Sequence, residues 1–195
     1  MTADTRRAVW IGLGQVALVL LSVGLGLTIG EWRQSLADAE RARLAMDAAV
    51  REMATNRTRI QRALDHHEAL MDVLADDSTR GIQLQPAFIT DNAWGMAQTT
   101  GVATDLPFPV IEALVLVHET QAAYRELVMM NVGLLYFGNV FTSERLPSNV
   151  PGFASSVSDL RQFEVQLLDR YGEAFAALDA AGFAVPDSLL IPAAP

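Results

Sequence analysis

The chain has 195 residues, a net charge of −9 and no cysteine. Disulfides, thiolate metal sites, iron–sulfur clusters and a Cys nucleophile are therefore excluded together. All 14 basic residues are arginines, and no basic run follows the N-terminal region, which argues against nucleic acid as a partner because phosphate binding needs clustered positive charge.

Hydrophobic residues make up 51% of the chain and mean hydropathy is +0.22, high for a soluble protein. Much of the excess lies in Val9 to Gly30, a run without a charge, bounded by Arg6 and Arg7 before it and Glu31 and Arg33 after it. As a helix it would cover roughly 33 Å, enough for a bilayer core of about 30 Å. Trp10 and Trp32 stand at its ends, where amphipathic rings favour the headgroup layer. The expectation is a transmembrane anchor. A cleaved signal peptide fits less well, because the run is long and Ser35-Leu36-Ala37 lies beyond the charges.

Arg6, Arg7 and the amino terminus favour a cytoplasmic N-terminus. The arginines after the anchor alternate with acids in what reads as a folded helix. The expected location is the bacterial inner membrane, single-pass, with a periplasmic C-terminal domain. Within the anchor, Ser22, Gly26 and Gly30 put small residues on one face, and Gln15 is its strongly polar side chain. Both features favour helix packing inside the lipid.

From Ile29 a heptad seam runs through Trp32, Leu36, Ala39, Arg43, Met46, Val50, Met53, Arg57, Ile60, Leu64, His67, Met71 and Leu74. It predicts one helix continuous with the anchor and reaching about Asp76, which needs a lateral partner to cover its seam. Asp77-Ser78-Thr79-Arg80-Gly81 breaks the helix. A short helix is expected in 87–100, starting either after Pro86 or at a Thr90-Asp91-Asn92 cap, and Gly101 suits its C-terminus.

Leu106-Pro107-Phe108-Pro109 leads into a helix from about Val110 to Phe141. Its core face carries Val110, Leu114, Val117, Gln121, Tyr124, Val128 and Asn131. A loop is expected over Ser143–Gly152, then a helix over Phe153–Ala181. That helix buries Val157, Leu160, Phe163, Leu167, Leu168, Tyr171, Phe175 and Leu178, with Arg161, Glu164 and Glu173 on other faces. Gly182 ends it, and a Pro-rich tail over 183–195 is expected to be loosely docked.

The predicted fold class is all-α. An N-terminal transmembrane helix continues into a long helix of an antiparallel bundle of three long helices plus one short one. The division is 1–30 for tail and anchor, 31–182 for the bundle and 183–195 for the tail.

Candidate chemistry is sparse. His66-His67-Glu68 collects metal-ligand types, but adjacent histidines on a helix point about 100° apart, and zinc needs three or four converging ligands. A contact between His67 and His118 is conceivable. No nucleophile elbow, zincin, P-loop or dinucleotide fingerprint occurs. No catalytic, cofactor or metal residue is assigned. Arg57, His67, Trp94 and Tyr124 are the candidate contacts for a ligand or partner.

Two stretches carry a resemblance. Gln15 to Leu21 with Ile29-Gly30-Glu31-Trp32-Arg33 and Arg51-Glu52-Met53-x-x-Asn56 form the first. Ala93-Trp94-x-x-Ala97-x-x-x-Gly101 followed by a helix with Tyr124 forms the second. Together they resemble a broad set of uncharacterised bacterial single-pass membrane proteins, many of which carry Glu where this chain has Gln15. The resemblance implies an envelope protein and adds no activity. The expected function is a non-enzymatic, membrane-anchored periplasmic module that assembles with itself or with another membrane protein. A ligand-sensing bundle is the alternative.

Overall fold

The structure, a computed structural model, describes residues 3–75, 83–137 and 146–190, with side chains over 32–75, 83–133 and 150–190. Its elements are α1 (Ala3–Ala75), α2 (Asn92–Thr99), α3 (Phe108–Phe137), α4 (Leu146–Ala180) and α5 (Asp187–Leu190). A 3₁₀ turn over Val102–Asp105 lies between α2 and α3. Among the described residues every regular element is helical, as the sequence predicts. None of the helices so described is long and apolar enough to cross a membrane. The side chains of the expected span Val9–Gly30, including Trp10, Gln15, Ser22, Gly26 and Gly30, lie outside the described residues. Its backbone is part of α1.

The chain divides into two units, residues 1–41 and 42–195. In the first, the described side chains are those of a solvated helix. Trp32 is 64% exposed and Leu36 53%, while Arg41 pairs with Asp38 at 2.8 Å one turn away.

The second unit is a helical bundle whose core begins at Ala42. Buried positions on α1 recur every seven residues in two series. Met46, Met53, Ile60, His67 and Leu74 form one, and Ala42, Ala49, Asn56, Ala63 and Leu70 the other. The expected seam held the first series together with Val50, Arg57, Leu64 and Met71. Val50 and Leu64 are buried, but Arg57 and Met71 are only half so. The buried stripe is thus turned towards the second series, because α1 meets neighbours on two sides. Ala49 and Ala63 keep that side narrow enough for residues 85–94 to pass close by.

The direction of the helices follows from their contacts. Leu70 and Leu74 near the end of α1 cluster with Phe153 and Val157 near the start of α4, so these two run antiparallel. Tyr124 and Gln121 of α3 bond Glu164 and Tyr171 of α4, again antiparallel. α1 and α3 therefore run the same way. The expectation of simple antiparallel neighbours is corrected here: residues 83–91 carry the chain back along α1 before α3 begins. One main cluster joins Met46, Ile60, Trp94, Val110, Leu114, Tyr124, Leu160, Tyr171 and Phe175.

One boundary follows an expected alternative and two others differ. The short helix starts at Asn92, the second of the two starts considered. The region expected as a loop is helical from Leu146, because Pro147 falls in the first turn, where backbone N–H groups have no helical partner to lose. α3 begins at Phe108 for the same reason, with Pro109 in its first turn and the Val110 N–H donating to the Pro107 carbonyl at 2.9 Å.

The tail over 183–190 is also more ordered than expected. It makes the turn of α5, packs Phe183, Val185 and Leu189 against the core, and receives a hydrogen bond from Arg57 Nη1 to the Leu189 carbonyl at 2.9 Å. The helix end before it has a definite form. The Phe183 N–H donates to the Leu178 carbonyl at 3.0 Å and the Gly182 N–H to that of Asp179 at 2.9 Å, with Gly182 at φ 83°. This pair of bonds is the Schellman arrangement, which needs a left-handed residue at that point.

A Cβ on Gly182 would meet nothing within 4 Å, so only backbone strain opposes it. Gly182→Ala is expected to lower stability by about 1 kcal/mol, measured by urea unfolding of the full chain in neutral detergent.

Candidate functional site

Residues 83–91 form neither helix nor strand, and no strand lies beside them among the described residues. Backbone N–H and C=O groups that leave water must still be paired. Here the partners are side chains, chiefly from one stripe of α1. His66 Nε2 donates to the Gln83 carbonyl at 2.7 Å and Arg59 Nη1 to that of Phe88 at 2.9 Å. Asn56 serves Thr90 twice, donating from Nδ2 to its carbonyl at 2.6 Å and accepting from its N–H at 3.2 Å. Glu52 accepts from the N–H groups of Asn92 at 2.8 Å and Ala93 at 2.7 Å.

The last pair of bonds replaces an N-cap. Asp91 precedes α2 yet makes no side-chain cap, so a carboxylate from another helix occupies the electropositive end instead. Asp91 is turned the other way, accepting from Arg125 Nη2 at 2.6 Å, with His118 Nδ1 3.4 Å off. That hydrogen bond holds the Asp91 carboxyl below its ordinary range against the opposing effect of burial, and it pushes Arg125 further up.

Below this clamp lies a fully buried polar chain. The Ala87 N–H donates to the Tyr124 hydroxyl at 2.9 Å, Tyr124 donates to Glu164 Oε1 at 3.0 Å, and His67 Nδ1 donates to Glu164 Oε2 at 2.9 Å. His67, Tyr124 and Glu164 have no exposed surface. Burial first, and then the facing Glu164 charge, raise the Tyr124 hydroxyl well above its ordinary value. Tyr171 accepts from Gln121 Nε2 at 2.9 Å; burial lifts its hydroxyl to about 12 although bonds to Gln121 and Asn56 pull the other way.

Glu164 was expected off the core face of α4 and Phe163 on it. The structure reverses them, with Glu164 buried and Phe163 only half-buried. The spacing itself held the signal: Val157, Leu160, Glu164, Leu167 and Tyr171 keep steps of three and four.

No protein-family model, curated protein or solved structure matches this chain. What the site can do rests on its own geometry.

Of the four candidate contacts, Trp94 lies in the 83–106 segment, Tyr124 reaches that segment at Ala87, and His67 joins Tyr124 through Glu164. Arg57 points instead to the tail at Leu189. The conceivable His67–His118 contact is not made, since His67 turns to Glu164 and His118 to Asp91. Among the described residues no three His, Asp or Glu side chains converge as a metal site.

Trp94 lines a cavity with Glu52, Asp91, Leu114 and His118, and the cavity's volume is about 20 Å³. That is room for about one water. The Trp94 Nε1–H and His118 Nδ1 are buried and lack hydrogen-bond partners. Glu52 and Asn56 lie one turn apart on α1, and they hold Thr90, Asn92 and Ala93 next to buried Trp94 and Ala97. Glu52, Asp91 and Arg125 were not expected to take part.

Two expectations follow. Glu164→Leu strands the buried donors of His67 and Tyr124 and should cost about 3–5 kcal/mol. The double change His67→Leu with Glu164→Leu should be less destabilised than that single variant, a non-additivity read by urea unfolding. For Asp91, the folded carboxyl titrates below its ordinary 3.8, so its stabilisation is complete above that value and lost as pH falls through the lower one. The melting-temperature gap between wild type and Asp91→Asn should thus be widest above pH 3.8 and narrow progressively as pH falls below it.

Proposed function

We propose that the chain is a non-enzymatic module anchored in the bacterial inner membrane by Val9–Gly30. In this reading its N-terminus is cytoplasmic and its bundle periplasmic, and it serves as an assembly or accessory subunit of an envelope complex. The observation that carries the reading is the state of α1 just after the apolar run. Trp32 and Leu36 occupy seam positions of the same heptad that is buried from Met46 onward, yet they are among the most exposed large apolar residues. Isolated apolar residues on a surface need no explanation, but two on a continuing heptad supply the start of a helix–helix interface. The partner is a second copy of the chain or another membrane protein.

The polar side chains of the bundle support the same reading. Glu52, Asn56, Tyr124, Arg125 and Glu164 are engaged by the chain's own backbone and side chains. The sensor alternative draws no support from the cavity at Trp94, which has room for about one water.

Because the chain has no cysteine, Leu36→Cys introduces a single thiol. Labelled with a benzophenone maleimide in native membranes and irradiated, it should give an adduct, either near twice 21.2 kDa or at the mass of one other protein. Label at the exposed Val165→Cys should give none. Monomer alone at position 36 would remove the assembly reading. Release of the chain from membranes by alkaline carbonate would remove the anchor.

A further inference from the structure

α1 carries a second feature that the clamp does not use up. Between Glu52 and Asp65 the sequence has no carboxylate but three arginines, Arg57, Arg59 and Arg62, in a chain whose net charge is −9. Arg59 and Arg62 line an open groove of about 450 Å³ between α1 and the 83–91 segment, faced by Gln85, Pro86 and Phe88. No carboxylate lines it.

The two guanidinium groups are prepared differently. Arg59 is held by its Nη1 bond to the Phe88 carbonyl, which fixes the fork and leaves its other N–H groups to spare. Arg62 makes no hydrogen bond or ion pair among the described residues. The nearest carboxylate along α1, Asp65, accepts instead from Gln61 Nε2 at 2.9 Å. Arg62 also lines the neighbouring groove of about 340 Å³ with Thr58, Gln61 and Ser188. Phe88 is 73% exposed, the most exposed large apolar residue of the bundle together with Phe108.

We propose that this groove binds a phosphate-bearing ligand with an apolar substituent, the phosphate held by Arg59 and Arg62 and the apolar part laid on Phe88. Two guanidinium forks on successive turns match a dianion with three equivalent oxygens better than a single carboxylate. The exposed ring supplies a surface for what the phosphate carries, and the arginines supply positive charge in a groove that no carboxylate lines.

The test uses the full chain in dodecyl maltoside and calorimetric titration with phenyl phosphate and with inorganic phosphate. Phenyl phosphate should bind saturably and more tightly than inorganic phosphate. Arg62→Gln, which removes no bond among the described residues, should weaken phenyl phosphate by about tenfold, the scale of one lost charge-assisted hydrogen bond. Phe88→Ala should abolish the advantage of phenyl phosphate and leave inorganic phosphate unchanged. Arg51→Gln, exposed on the same helix and outside both grooves, should bind as wild type.

Competition identifies the source. Displacement by glycerol phosphate indicates a soluble metabolite, and displacement by dihexanoyl phosphatidic acid alone indicates a lipid headgroup. Either result supports the shared chemistry. No saturable binding of phenyl phosphate up to about 10 mM, or an Arg62→Gln variant indistinguishable from Arg51→Gln, overturns it.

Discussion

A segment with neither helix nor sheet of its own must find hydrogen-bond partners for the peptide groups it removes from water, and residues 83–91 find them on a helix. Four α1 side chains, at positions 52, 56, 59 and 66, lie along one stripe spanning about 21 Å of helix. They take hold of the segment from Asn92 and Ala93 back to Gln83. The chain can then return along α1 and start α3 in the same direction. Without that return the three long helices would have the simple up-down order that a short turn imposes. The arrangement of the bundle thus depends on a row of side-chain-to-backbone bonds more than on any one helix–helix contact.

The same row explains the composition of α1. The series Ala42, Ala49, Asn56, Ala63 is small or amide-bearing, whereas Met46, Met53 and Ile60 are bulky. One side of the helix packs side chains from α3 and α4, and the other admits a backbone. Where Asn56 replaces alanine in the small series, it is the residue that meets Thr90 at both its polar groups. Glu52 one turn earlier meets the start of α2 as an acid should, at the end of a helix where N–H groups are unpaired.

Much of this was legible in the sequence. Periodicity placed α1, α3 and α4, and Gly101 and Gly182 marked helix ends that the structure places in left-handed conformation. Residue identity misled where spacing did not. Glu164 falls on the buried stripe of α4 by position but was assigned outward because it is charged, and a buried carboxylate shows itself only when its donors are known. His67 and Tyr124, both on core faces, are those donors, but they come from different helices 57 residues apart in sequence. Arg57, a candidate contact for a ligand or partner by sequence, instead donates to the Leu189 carbonyl, in a tail whose composition suggests fraying. Side chains that serve backbone groups leave no mark in periodicity, since any residue offers a backbone acceptor.

A structural burden of this kind also bears on how the charged residues divide. Glu52 and Glu164 are bound into the bundle through both carboxylate oxygens, and Asp91 and Arg125 are paired with each other. Arg59 serves the backbone with one N–H and retains the rest, and Arg62 makes no hydrogen bond or ion pair among the described residues. Desolvating an arginine without a partner is costly, so a helix tolerates such residues only where they stay in water or meet an anion. Arg62 is exposed and stays in water. The contrast separates the side chains that make the bundle from those that are free to act beyond it, and it puts the second group on the outer face of α1, beside the exposed ring of Phe88.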